Sequence, residues 1–265
     1  MALVNKLKIA LVFNYGMKNR YKGKRNLTIL LFCILVMWNV KSSFAQNSDT
    51  KSINSQLWID FYPTFYLNEH IQYYGDAGFR TIIGEKSWNR IYVRPSIRYH
   101  INKTIEFHGG LGLFYIFDKY NLNRFEITPW QGVQLNWPSS KRIKVSHLTK
   151  IEERLSFVTD NWSSSFNLRL RYKLSGNLNF LQNGSMKKWY IPAYIEFFFP
   201  VDDEIQEFFS NRSRIGLGTG HKFNEDWNLA LMYNWQRSKA GVGDKSTVSD
   251  HIIQLKIKKR WSSKK

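Results

Sequence analysis

The chain reads as all-β: an antiparallel transmembrane β-barrel of twelve strands, within a range of ten to twelve, behind a cleavable N-terminal signal peptide. Three observations predict this. Successive segments between residues 54 and 261 alternate polar and apolar residues with a period of two, the signature of a strand with two unlike faces. An export signal precedes them. Aromatic residues make up 16% of the chain, which suits belts of Trp and Tyr at two membrane interfaces.

The N-terminal part is read as targeting sequence. Lys18, Arg20, Lys22, Lys24 and Arg25 form a basic region, and residues 27–38 an apolar run too short to span a bilayer as a helix. Ser43-Phe44-Ala45 fits a small-x-small cleavage site. Residues 1–45 are therefore taken as an extension plus signal peptide, with Met1 and Met17 both open as starts. Residues 46–265 form one barrel domain. Cys33 falls in the apolar run, so the remainder has no thiol for disulfide or metal chemistry. Cleavage would remove eight basic residues and no acids, lowering the formal charge from +19 to +11.

Eleven strands are legible, at about 54–66, 70–84, 88–101, 104–117, 123–137, 142–158, 164–175, 188–200, 210–223, 226–238 and 249–261. Bacterial single-chain barrels have even strand numbers, so a short twelfth strand is expected from Gln46–Ile53. The third strand is the clearest: Arg90, Tyr92, Arg94, Ser96 and Arg98 share one face, and Ile91, Val93, Ile97 and Tyr99 the other. The fourth turns Phe107, Leu111, Leu113 and Tyr115 outward, and the fifth Phe125, Ile127, Val133 and Leu135. The seventh sets Leu168 and Leu170 against inward Arg169 and Arg171. Hairpin parity then fixes register. Ile101 must face Ile105, His100 Glu106, Arg98 His108, and Phe223 Trp227, because a shift by one would pair outward with inward positions. These tight turns mark a periplasmic end, and the longer connections Val201–Asn211 and Ser238–Asp250 the exterior.

The one chemical constellation is an inward charge network. Its bases are Arg80, Arg90, Arg94, Arg98, Arg124, Arg154, Arg169, Arg171, Arg212 and Arg214, and its acids Asp60, Asp76, Glu106, Glu126, Glu152 and Glu196. Guanidinium binds carboxylate bidentately, so such a set cross-links a narrow barrel from inside. A barrel of this size has a modest lumen, since diameter grows with strand number. A closed salt-bridged interior is the first reading, an anion-leaning narrow channel the second, and a lipid- or envelope-modifying enzyme the third. No catalytic set stands out. Ser146 and His147 are adjacent and point to opposite faces. Ser213 and His221 share a face but lie eight residues, about 26 Å, apart. An Asp202, Asp203, Asp250 and His251 rim cluster reads as solvated loop. His100 beside Glu106 reads as an interior histidine with a partner. The histidines lack metal-ligand spacing, so neither metal nor cofactor is expected. Gly216, Gly218 and Gly220 alternate along a strand, as glycines do where large neighbours need room. Trp58, Trp88, Trp130, Trp137, Trp189, Trp227 and Trp235 are assigned to interfacial belts.

Expected partners are outer-membrane lipid and the machinery that assembles outer-membrane barrels. Nucleic acid is not expected, because the basic residues are spread over strands. No motif identifies a soluble ligand or protein partner. The segments Asn123-Arg-Phe-Glu126, His147-Leu-Thr-Lys-Ile-Glu-Glu-Arg154, Leu168-Arg-Leu-Arg171, Tyr194-Ile-Glu-Phe197 and Asn211-Arg-Ser-Arg-Ile-Gly-Leu217 resemble the domain-of-unknown-function family 2490 over roughly residues 55–259. That resemblance implies an exported outer-membrane barrel of a kind common in the Bacteroidota, and no activity. One departure is the last strand, which ends on Trp261 with four residues beyond it.

Overall fold

The computed structural model describes residues 51–261, apart from 85–87, 120, 139, 141, 181–187, 202–210 and 240–246. The signal peptide with Cys33, the pair Asp202 and Asp203, and most of the connections 201–211 and 238–250 lie outside the described residues. Eleven strands follow one another: β1 (Lys51–Tyr66), β2 (Ile71–Ile83), β3 (Trp88–His100), β4 (Ile105–Asp118), β5 (Arg124–Asn136), β6 (Ile143–Val158), β7 (Ser164–Asn179), β8 (Trp189–Pro200), β9 (Asn211–Lys222), β10 (Trp227–Lys239) and β11 (Thr247–Trp261). Each pairs with its neighbours in sequence, and β1 pairs with β11 to close the barrel.

The expected twelfth strand is corrected to eleven. Residues 51–53, assigned to that extra strand, extend β1 instead, and 46–50 lie outside the described residues. Hairpins reverse direction at every step, so in an odd series the first and last strands run the same way. β1 and β11 accordingly form a parallel ladder from Lys51↔Thr247 to Phe65↔Trp261. A parallel pair satisfies the backbone nearly as well as an antiparallel one. Closure matters more, because it leaves no strand edge exposed.

Register follows the parity of the side chains. Arg98 faces His108 and His100 faces Glu106. In the turns, the Ile101 amide donates to the Ile105 carbonyl (3.1 Å) and the Phe223 amide to that of Trp227 (3.0 Å). Asn102 and Asn224 stabilise these turns by accepting backbone N–H bonds two and three residues on.

The barrel is inverted relative to a water-soluble fold. Its buried side chains include Asp60, Glu196 and Asn234, all at 0% exposure. Its exposed ones include Ile91, Val93, Ile97, Leu135, Ile215, Leu217 and Leu231. Aromatics concentrate on this outer face toward both ends. Near one end lie Phe65, Tyr73, Trp137, Tyr172, Trp189, Phe223 and Trp261, and near the other Tyr115, Phe117, Phe125, Phe157 and Trp162. Trp58 and Trp130 depart from the belts expected of them. Both point inward, 3% and 5% exposed, because they share parity with Asp60 and Thr128. One polar pair interrupts the apolar band: Gln131 donates to Glu153 (3.4 Å) on the outer face of β5 and β6.

Candidate functional site

Because period-two strands line the wall, every second side chain of β2–β9 reaches the axis, and the charged ones meet there. Glu126 on β5 accepts two N–H bonds from Arg154 on β6 (3.2 and 2.6 Å) and a hydroxyl bond from Thr128 (2.9 Å), with Arg90 at 3.5 Å. Glu152 accepts from Arg169 (2.8 and 2.5 Å) and Arg171 (3.1 Å). Arg171 also donates to Glu196 on β8 (2.7 Å), which accepts from Arg214 on β9 (3.1 Å). A continuous carboxylate–guanidinium chain thus runs from β6 to β9. Asp76 binds Arg94 bidentately on the opposite wall. Asp60 accepts from the Tyr92 hydroxyl (2.6 Å) and from Gln254, with Arg80 3.8 Å away. Arg124 stands exposed at the mouth at the start of β5.

Aromatic rings fill the space between the charges. Trp58 carries Arg80 on its ring at 3.9 Å and Arg214 at 4.7 Å, so β1 contacts β9 across two intervening strands. Phe198 is approached by Arg171 (5.0 Å), Arg214 (5.2 Å) and Arg169 (5.3 Å). Lys150 lies 3.3 Å from the Trp130 ring centroid. Stacking on an aromatic face offsets part of the hydration a cation loses on burial. These inward aromatics are the functional residues that sequence reasoning missed. Their parity was readable, but an aromatic on a strand reads equally well as an interface anchor.

Side chains of β2–β9 converge on a central cavity of about 50 Å³. That is room for on the order of three to five waters. Arg80, Arg90, Arg94, Arg169, Arg171, Arg212 and Arg214 line it with Glu126 and Glu152, and Arg80, Arg94, Arg171 and Arg214 pair with Asp60, Asp76 and Glu196 behind them.

A second cluster lies toward the turn end of β3 and β4. Glu106 is within 3.2 Å of Arg98 and His100 and 3.3 Å of His108, and accepts from Asn136 (2.9 Å). His108 in turn meets the Tyr74 hydroxyl at 2.5 Å. A Tyr–His–Glu line of this kind can pass a proton between buried partners. Ser146 and His147 do point apart: His147 sits on the outer face against the Tyr172 hydroxyl (2.5 Å). Asp250 faces the lumen and accepts from Gln236 (2.7 Å), whereas His251 faces outward against Tyr233 (2.6 Å). Among the described residues no group of three or more His, Cys, Asp or Glu is placed to hold a metal ion.

Fold and lumen together define a closed β-barrel with an apolar exterior and a charged, aromatic-packed interior. The chain belongs to the family described as Protein of unknown function (DUF2490), whose model matches residues 55–247. No curated protein matches it significantly. Among solved structures it is similar to the translocator domain of autotransporter NalP from Neisseria meningitidis, with 14% sequence identity, a TM-score of 0.47, and coverage of 66% of this chain and 72% of that one.

Proposed function

We propose that this chain is an integral outer-membrane barrel with a structural or partner-binding role, its lumen closed by the arginine–carboxylate network. The carrying observation is the convergence of eight strands' side chains on a cavity of about 50 Å³. An ion moving through would have to displace guanidiniums that each hold a carboxylate or a ring. The membrane part of the reading rests on the inverted face pattern: an aliphatic band, broken at Gln131 and Glu153, between two aromatic belts is stable against lipid and costly against water.

The test is reconstitution in planar lipid bilayers with conductance recorded at both polarities. A heat-modifiable, folded barrel that stays silent supports the closed scaffold. A steady anion-biased current, reduced when Arg94 or Arg98 is neutralised, would favour the channel reading, toward which the surplus of guanidiniums points. Silence combined with turnover of a lipid substrate, abolished by one His or Asp substitution in a folded barrel, would favour an enzyme.

A further inference from the structure

We infer that the lumen mouth at the tight-turn end is a docking surface for an acidic, extended peptide segment of a partner protein. The inference rests on the partner-binding reading proposed above and narrows it to one chemistry.

Parity places the cations. On β11, Lys256, Lys258 and Arg260 continue the inward positions Ile252 and Gln254. On β9, Lys222 shares the parity of inward Arg214, and on β6 Lys144 shares that of Lys150 and Glu152. Lys258 and Lys222 flank the same residue, Asn228, from either side of β10. Lys144, Lys222, Lys258 and Arg260 are exposed to water at the mouth. Their charged neighbours are one another. Arg260 and Lys222 act on Lys258, and Lys144 and Arg260 on Lys222, with no carboxylate acting on either. Lys222 donates instead to the Asn179 side chain (3.5 Å).

The acids of this end are accounted for elsewhere. Asp60 and Glu196 reach Lys256, but Asp60 already accepts from Tyr92 and Gln254, and Glu196 from Arg171 and Arg214. Glu106, on the opposite wall, is held among Arg98, His100, His108 and Asn136. Asp226 pairs with Lys259 (3.1 Å). Glu69 and Glu225 are exposed in turns, and neither acts on Lys222 or Lys258. At this end the positions outside the described residues, 139, 141, 181–187 and 262–265, include no Asp or Glu.

Spacing selects the occupant. Two residues of strand separate Lys258 from Arg260 by about 7 Å, and two strand spacings separate Lys222 from Lys258 by about 10 Å. Cations so spread do not converge on one phosphate. Carboxylates recurring along an extended peptide, at about 3.3–3.6 Å per residue, meet them in turn. Bilayer headgroups lie outside the wall, whereas these side chains stand on its inner face. An array of one sign at a mouth also steers an oppositely charged partner toward it.

The experiment is fluorescence anisotropy of a labelled oligo-aspartate of about ten residues, up to about 33 Å when extended, titrated with the folded full chain in zwitterionic detergent. The expected result is saturable binding of one peptide per barrel. Affinity should fall tenfold or more between about 0.1 M and about 1 M salt, as the screening length drops from about 10 Å to about 3 Å. It should also fall tenfold or more in the double variant Lys222→Gln with Lys258→Gln. The charge-matched control, Lys119→Gln with Arg237→Gln, alters exposed residues toward the opposite end and should bind like wild type. If the first double variant does not fold, Lys144→Gln with Arg260→Gln makes the same comparison. Absence of saturable binding to folded wild type overturns the proposal. Equal weakening in the control overturns it too, because net charge alone would then account for binding. Competition by inorganic phosphate as strong as by unlabelled peptide, at equal ionic strength, would reassign the surface to small anions. Displacement by vesicles containing phosphatidylglycerol, and not by phosphatidylcholine vesicles, would reassign it to lipid; either result overturns the peptide. Conductance keeps this separate from the closed-lumen reading. A barrel that conducts and still binds the peptide loses the closed lumen and keeps the surface, and a silent barrel that binds none loses only the surface.

Discussion

Replacing Glu126 by glutamine is the sharpest test of whether the lumen is a dry, packed interior. The carboxylate is 3% exposed and its partner Arg154 9%, with two N–H bonds at 3.2 and 2.6 Å and a second guanidinium, Arg90, at 3.5 Å. Glutamine keeps the volume and removes the charge. It leaves two buried guanidiniums short of a counter-ion and turns an N–H₂ toward one of them. Removing one partner of a buried pair costs about 3–5 kcal/mol. With an urea m-value of about 2 kcal/mol/M, the unfolding midpoint should fall by roughly 2 M. The assay is urea unfolding of the barrel in lipid vesicles, followed by tryptophan fluorescence and heat-modifiable mobility. The double variant Glu126→Gln with Arg154→Met should recover about 1–3 kcal/mol of coupling, because the nearer of the two uncompensated charges goes too and only Arg90 is left. A solvated ion pair is worth at most about 1 kcal/mol. A loss no larger than that, with no coupling in the double variant, would refute the packed interior and require a water-filled lumen.

Three further outcomes follow from the same geometry. Glu153→Leu removes a carboxylate from the apolar outer band and should stabilise the barrel in bilayers by roughly 1 kcal/mol or more, read as a higher urea midpoint; a lower midpoint would mean that a partner or lipid group covers this face. Gly220→Val should cost about 1–3 kcal/mol and lower refolding yield, because an added Cβ would collide with the Tyr190 ring; unchanged yield would show that the ring has room to move. Trp58→Ala should cost about 3–5 kcal/mol through lost packing beneath Arg80 and Arg214. Trp137→Ala on the outer face should cost far less, and equal losses in the two variants would contradict the inward placement of Trp58.

Much of the barrel wall was legible because facing is a local property. Along Trp88–His100, each residue's side is fixed by counting in twos, and the hairpin at residues 101–105 follows from matching faces. The same counting placed Arg169 and Arg171 inside and Leu168 and Leu170 outside. Trp58 and Trp130 were misplaced although their parity was visible. A tryptophan satisfies an interface and a cation-lined interior equally well, and only its neighbours decide between them. Tyr74 escaped notice for a related reason. Its hydroxyl meets His108 from two strands away, and nothing within either strand announces the pairing.

By itself the sequence determined the strand series, the face each side chain takes, the hairpin registers and the presence of more arginine than carboxylate on the inner face. All of these depend on spacing within a strand or across one turn. Only the tertiary structure decided that eleven strands close, through a parallel β1–β11 ladder between residues nearly two hundred positions apart. It alone decided which guanidinium meets which carboxylate, that Trp58 bridges Arg80 and Arg214, and that the interior narrows to one small cavity. Closure and packing depend on the radius and tilt of the whole barrel, which no period in a single strand encodes.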